Sequence, residues 1–123
     1  MAFLTSLFNK LKSGPGMNIE EITCEELNDK IQNGEKPFIL DVRQPNEYRV
    51  GNIGGKLIPL NELPRRIQEI EQYKDHEIIV HCRSGARSAR ACQILQNHGF
   101  SNPKNLAGGI LAWANVVDQS VNV

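Results

Sequence analysis

The stretch Ile78-Ile79-Val80-His81-Cys82-Arg83-Ser84-Gly85-Ala86-Arg87-Ser88 sets a cysteine between an apolar, strand-forming run and a short loop of small and cationic residues. If residues 77–81 form a strand and Arg87–His98 a helix, Cys82 stands at the carboxyl end of that strand. Open parallel sheets hold their ligands at that edge. The loop can turn several backbone N–H groups inward as a nest, above the positive end of the helix. Gly85 permits the backbone angles of a tight cradle, and Arg83, Arg87 and Arg90 add positive charge nearby. A thiol so placed is expected to ionise well below its free value of about 8.5, and the thiolate is the nucleophile. The same cradle suits a persulfide or an anionic sulfur donor such as thiosulfate.

Cys24 and Cys92 read differently. Each is expected inside a helix, away from any nest, as a small packing residue. His81 has no visible acid partner in the sequence and reads as a strand residue beside the site, not as a general base. The spacing bears on the chemistry as well. Four residues separate Cys82 from Arg87, whereas cysteine phosphatases carry one more. The longer loop makes room for a tetrahedral phosphate; the shorter one better fits a terminal sulfur.

The elements that must position this loop can be read from the rest of the chain. Its 123 residues suit one domain, at roughly 100–200 residues per domain. With 40% apolar and 23% charged residues it falls in the globular range. Fourteen Lys and Arg balance fourteen Asp and Glu, so the chain makes no global electrostatic claim on nucleic acid or anionic membrane. Three cysteines without a C-x-x-C argue against a disulfide framework or a structural zinc site and for a reducing, cytoplasmic setting.

Thr23 and Glu26 form a capping box that opens a helix running to Asn33, with Gly34 as its stop. A short strand precedes it at residues 18–22. Residues 37–42 suit a strand buried on both faces, and residues 43–48 a turn with one helical turn. Gly51–Gly55 is loop and residues 56–58 a short strand. Residues 60–73 read as mostly helix, 77–81 as the clearest strand, 87–98 as helix, 104–106 as strand and 108–113 as helix. This alternation predicts an α/β domain with a mostly parallel sheet and right-handed crossovers. Residues 1–16 stand apart. Phe3, Leu4, Leu7, Phe8 and Leu11 make an apolar stripe at helical spacing, and Ser13-Gly14-Pro15-Gly16 reads as a linker. That segment is expected to fold back on the domain or to dock on a partner or a membrane surface. The domain proper is expected over 17–117, with a tail at 118–123.

Taken in order, the motifs resemble the rhodanese family of sulfurtransferases. Asp41-Val42-Arg43-Gln44-Pro45-Asn46-Glu47-Tyr48 is similar to its first signature, followed by Gly51-Asn52-Ile53-Gly54-Gly55 and Ile58-Pro59-Leu60. Cys82 through Ser88 resembles the active loop, and Leu106-Ala107-Gly108-Gly109-Ile110-Leu111-Ala112-Trp113 the closing signature. The resemblance covers residues 19–113. It implies a single rhodanese-like domain with a central five-stranded parallel sheet flanked by helices. It implies Cys82 as the residue that carries sulfane sulfur and Arg83, Ser84, Gly85, Ala86, Arg87 and Ser88 as the cradle, with neither metal nor organic cofactor. Asp41 and Arg43 become structural supports, with Glu47 placed to pair with Arg43. Asn52 departs from the histidine many members carry. The segments 52–63 and 108–114 further resemble the rhodanese domain fused to adenylyltransferases of molybdopterin and thiamine sulfur delivery. That likeness implies a thiol or a ubiquitin-like sulfur carrier as acceptor, served in trans. Two other classes remain open: a non-catalytic binding module on the same fold, and phosphatase or arsenate-reductase-like chemistry.

Overall fold

The computed structural model describes residues 18–123. The amphipathic stripe and linker expected over 1–16 lie outside the described residues. Five strands alternate with helices: β1 (Glu20–Ile22), α1 (Cys24–Gln32), β2 (Phe38–Asp41), α2 (Pro45–Val50), β3 (Lys56–Leu57), α3 (Leu63–Arg66) between two 3₁₀ segments (Leu60–Glu62 and Ile67–Tyr73), β4 (Glu77–His81), α4 (Ala86–Asn97), β5 (Asn102–Leu106) and α5 (Gly109–Val116). The sheet order is β1-β5-β4-β2-β3, and all four pairings are parallel. An α/β fold with a five-stranded parallel sheet is therefore the architecture.

Local chemistry accounts for several element ends. The Thr23 hydroxyl accepts from the Glu26 N–H at 3.0 Å, and the Thr23 N–H donates to the Glu26 carboxylate at 2.9 Å. This closes the capping box of α1. Pro45 opens α2, where its missing N–H costs nothing; that helix extends the single turn expected there. The segment 60–73 is not one helix. Ile70 (φ −121°, ψ 15°) breaks the helical path and the flanking turns are 3₁₀. Leu63 and Ile70 still reach the core, so burial of these residues does not require a continuous α-helix. β5 starts two residues earlier than the apolar pattern suggests, with Pro103 falling before the ladder to β1 begins at Lys104.

Side chains on β4 alternate between two cores, as strand geometry requires. Ile78 and Val80 pack with Leu40, Leu63, Ile70, Ala91, Cys92 and Leu95 beneath α3 and α4. Ile79 packs with Ile22, Leu27, Leu106 and Trp113 beneath α1 and α5. The helices thus cover both faces of the sheet. Within the described residues no helix is long and apolar enough to cross a membrane.

This layering fixes what lies at the carboxyl edge. Asp41 is in register with His81, Val80 with Asn105, and Ile22 with Leu106. The ends of four strands meet in one row, and the Cys82 loop rises from the middle of it.

Candidate active site

Cys82 follows β4 directly and is 1% exposed. Its Sγ lies 3.1 Å from the Gly85 N, 3.4 Å from the Ser88 N and 3.3 Å from the Ser88 Oγ. The loop closes over the sulfur because Gly85 adopts φ +119°, a conformation open to glycine and strained for other residues. Gly85 is also the N-cap of α4 and has no side chain to offer. The Ser88 N–H, one of the donors a helix start leaves unpaired, turns to the sulfur instead. The Cys82 sulfur therefore occupies the place of a capping side chain, at the positive end of a twelve-residue helix.

These contacts set the thiol's acidity. Burial pushes the Cys82 thiol up, but its contact with the Ser88 side chain and hydrogen bonds from the Ser88, Gly85 and Ser84 N–H groups outweigh it, leaving the pKa lowered. The direction matches the sequence expectation; the cause differs. Arg87 is engaged elsewhere, with Nη1 and Nη2 on the Glu47 carboxylate at 2.7 and 2.9 Å, while Arg83 and Arg90 are exposed. Oriented peptide groups do the work expected of cations.

The Glu47 pairing is a second correction. The resemblance pairs Glu47 with Arg43, yet the Glu47 carboxylate holds Arg87, and of Glu47 the Arg43 guanidinium meets only the backbone carbonyl, at 3.4 Å. Hydrogen bonding to Arg87, only partly opposed by burial, holds the Glu47 carboxyl down at about 2. Arg43, 2% exposed, forks onto Asp41 at 2.8 and 3.0 Å and reaches the Gly51 carbonyl at 2.9 Å. A buried charge needs such a full set of partners. The pair ties the end of β2 to the loop after α2.

His81 does have an acid neighbour. Its Nε2 lies 3.4 Å from the Asp41 Oδ2 without forming a hydrogen bond, and its Nδ1 lies 3.3 Å from the Cys82 carbonyl. Burial lowers its pKa, against the pull of Asp41, and so favours the neutral ring. Both nitrogens face groups other than the Cys82 sulfur.

Two residues of the site carried no signal of their own in the sequence. Asn105, on β5 and 4% exposed, accepts from the Ser88 hydroxyl at 2.6 Å and donates to the Gly85 carbonyl at 3.1 Å. Gly109 opens α5 with φ +61°; a Cβ there would fall 2.6 Å from the Cys82 carbonyl oxygen and closer still to that of Arg83. From α5, Ile110 and Leu111 donate N–H bonds to the Cys82 and Arg83 carbonyls at 3.0 and 3.1 Å. Only the position of Gly109 within the closing motif pointed to it. Of the expected cradle, Gly85, Ser88 and Ser84 turn donors to the sulfur. The Arg83 side chain instead lines a cavity of about 170 Å³ with Arg43, Asn46, Glu47, Val50 and Val123, and Ala86 is exposed as the first residue of α4. No group of three or more His, Cys, Asp or Glu among the described residues could hold a metal ion.

Comparison with known proteins agrees with this arrangement. The rhodanese-like domain model matches residues 23–116. A sulfurtransferase of Allochromatium vinosum is 39% identical over 97 residues, covering 78% of this chain and 89% of that protein. The probable adenylyltransferase/sulfurtransferase MoeZ of Mycobacterium tuberculosis is 36% identical over 94 residues, which are 76% of this chain but only 24% of that protein. Among solved structures, a rhodanese-like domain protein from Staphylococcus aureus superposes with a TM-score of 0.74 at 29% identity, over 85% of this chain and 98% of that one. With a thiol cradled at the end of the central strand and this family match across most of its length, the chain belongs to the rhodanese-like domain family of sulfurtransferases.

Proposed function

We propose that the protein transfers sulfane sulfur through a persulfide on Cys82. The observation that carries the reading is the convergence of the Gly85 and Ser88 N–H groups on the Cys82 sulfur, at 3.1 and 3.4 Å. In the first step the thiolate attacks the outer sulfur of thiosulfate or of a donor persulfide. The new S–S bond forms as the donor's S–S bond breaks, and sulfite or a thiolate leaves with the electron pair. In the second step an acceptor nucleophile, such as cyanide or a thiol, attacks the outer sulfur and returns Cys82 as thiolate. The donors that stabilise the thiolate are placed to stabilise the persulfide anion. A small thiol fits this second step directly. A ubiquitin-like carrier requires another, in which its C-terminal carboxyl, activated in trans as an acyl adenylate, is attacked by the persulfide with loss of AMP. A thiol then cleaves the acyl disulfide to leave the carrier thiocarboxylate. The likeness to MoeZ, named as a probable adenylyltransferase/sulfurtransferase, supports an acceptor activated by adenylation.

Intact mass after incubation with thiosulfate tests the reading. One sulfur atom is expected to add, to be removed by cyanide, and to be absent in Cys82→Ser. No uptake from thiosulfate or from a small-molecule persulfide overturns it. Cys82-dependent hydrolysis of an aryl phosphate in place of uptake turns the assignment to phosphatase chemistry.

A further inference from the structure

The Ser88 hydroxyl has one proton and three acceptors within reach: the Asn105 Oδ1 at 2.6 Å, the Gly85 carbonyl at 3.2 Å and the Cys82 Sγ at 3.3 Å. The orientation of the Asn105 amide is settled by its other end, because the Nδ2 donates to the Gly85 carbonyl at 3.1 Å. Turning the amide over would set two acceptors against each other there. The Oδ1 must therefore face Ser88, and the shortest of the three contacts is the one to Asn105.

While Cys82 is a thiol, every group is satisfied: the S–H donates to the Ser88 Oγ and the Ser88 O–H to Asn105. Once the thiol proton leaves for solvent, the sulfur needs donors. Then either the Ser88 O–H swings to the sulfur and leaves a buried Asn105 oxygen facing a hydroxyl oxygen, or it stays and the thiolate keeps only N–H donors. An unpaired buried acceptor is costly, so the swing is opposed.

We propose that Asn105 is a positioning residue that holds the single Ser88 proton away from the Cys82 sulfur and so restrains its ionisation. The proposal rests on the reading of Cys82 as the sulfur-carrying nucleophile. Most of the charged groups around the sulfur bind one another, while Arg90 of α4 is exposed. Arg87 of α4 is held by Glu47 of α2, and Asp41 and Arg43 at the end of β2 are paired. His81 of β4 abuts Asp41, and Arg83 of the loop is exposed. On β5, Lys104 is paired with Glu77, and α5 has no charged residue. The recorded contacts of the Ser88 hydroxyl are all to uncharged acceptors or the cysteine, so changing Asn105 leaves the surrounding charges in place.

The test is the pH profile of iodoacetamide alkylation at Cys82, assigned by peptide mapping, in four proteins: wild type, Asn105→Leu, Ser88→Ala and the double variant. Asn105→Leu is expected to lower the apparent thiol pKa by about half to one pH unit, the scale of one hydrogen bond. In the Ser88→Ala background the same change is expected to do nothing. A shift of equal size in both backgrounds, an upward shift, or no shift in either overturns the proposal, because loosening the loop at Gly85 would not require Ser88. If Asn105→Leu does not fold, Asn105→Asp, of the same size, carries the test. It strengthens the acceptor and is expected to raise the pKa more with Ser88 present than absent; an equal rise overturns the proposal. Sulfur uptake, read by intact mass on the same samples, separates the two claims. Failed uptake in the wild type counts against the transfer reading, whereas a background-independent pH profile counts against Asn105.

Discussion

Cys24 and Cys82 are buried alike, at 2% and 1% exposure, and both lie against the start of α5. Their surroundings are nearly opposite. The Cys24 Sγ faces the carbonyl oxygens of Ala107 and Gly109, each at 3.8 Å. The Cys82 Sγ faces the N–H groups of Gly85 and Ser88. Burial, with Glu25 adding to it, raises the Cys24 thiol, whereas the donors around Cys82 override burial and lower it. Two thiols beside one helix start are thus set apart by the direction of a few peptide groups. Burial alone raises a thiol's pKa; turned amides lower it.

The largest expected effect comes from removing the distinction. Cys82→Ser is expected to reduce sulfur transfer to thiol acceptors by about 10³-fold or more, with Cys24→Ser leaving the rate essentially unchanged; steady-state turnover with thiosulfate measures both. Next comes Gly109→Ala, which forces a methyl group against the Cys82 and Arg83 carbonyls at a positive φ. It is expected to cost about 2–4 kcal/mol in denaturant unfolding and to raise the Cys82 pKa as the loop is displaced. A variant that keeps its stability but loses the pKa difference would show that α5 orients the loop without supporting the fold.

Glu47→Gln has a smaller effect with a defined pH window. The Glu47 carboxyl is held down at about 2 from an ordinary value of 4.5. Its pairing with Arg87 therefore stabilises the fold fully above about pH 4.5, and the contribution is lost as pH falls toward 2. After allowance for partial exposure the pair is expected to contribute about 1 kcal/mol at pH 7. Glu47→Gln should remove that part of the acid limb and leave Cys82 labelling little changed, since arginine does not provide the sulfur's hydrogen bonds. The smallest effect sharpens the comparison from a third thiol. Burial pushes the Cys92 thiol up to about 12, so iodoacetamide at pH 7 should label Cys82 alone in the folded protein and all three cysteines in denaturant.

What the sequence showed was mostly local. The capping box of α1, the strand at Glu77–His81 and the turn of the loop at Gly85 each follow from a few adjacent residues. Contacts between distant segments were harder to read. Ser88 and Asn105 are 17 residues apart and meet only because β5 lies beside β4 in a particular register. Glu47 and Arg87 are 40 apart, and the nearer Arg43 was an equally good partner until Asp41 was seen to occupy it. The cause of the lowered thiol pKa is hidden for the same reason: arginine charges are visible in a sequence, the direction of an N–H group is not. In segment 60–73 the i, i+4, i+7 spacing of Leu63, Ile67 and Ile70 is that of an α-helix, so the break at Ile70 left no trace.

The strand order carries a consequence for how the site comes into being. β5 lies between β1 and β4, so the sheet has a gap at its centre until residues 102–106 are in place. Asn105 and the α5 amides that fasten the loop arrive with or after that strand. During synthesis, with the amino end made first, Cys82 emerges as an ordinary thiol among unpaired strands. Its N–H donors lie within six residues of it, but the Asn105 and α5 contacts that anchor their loop come only with the last strand. The anchoring of the loop is therefore the last part of the site to be assembled.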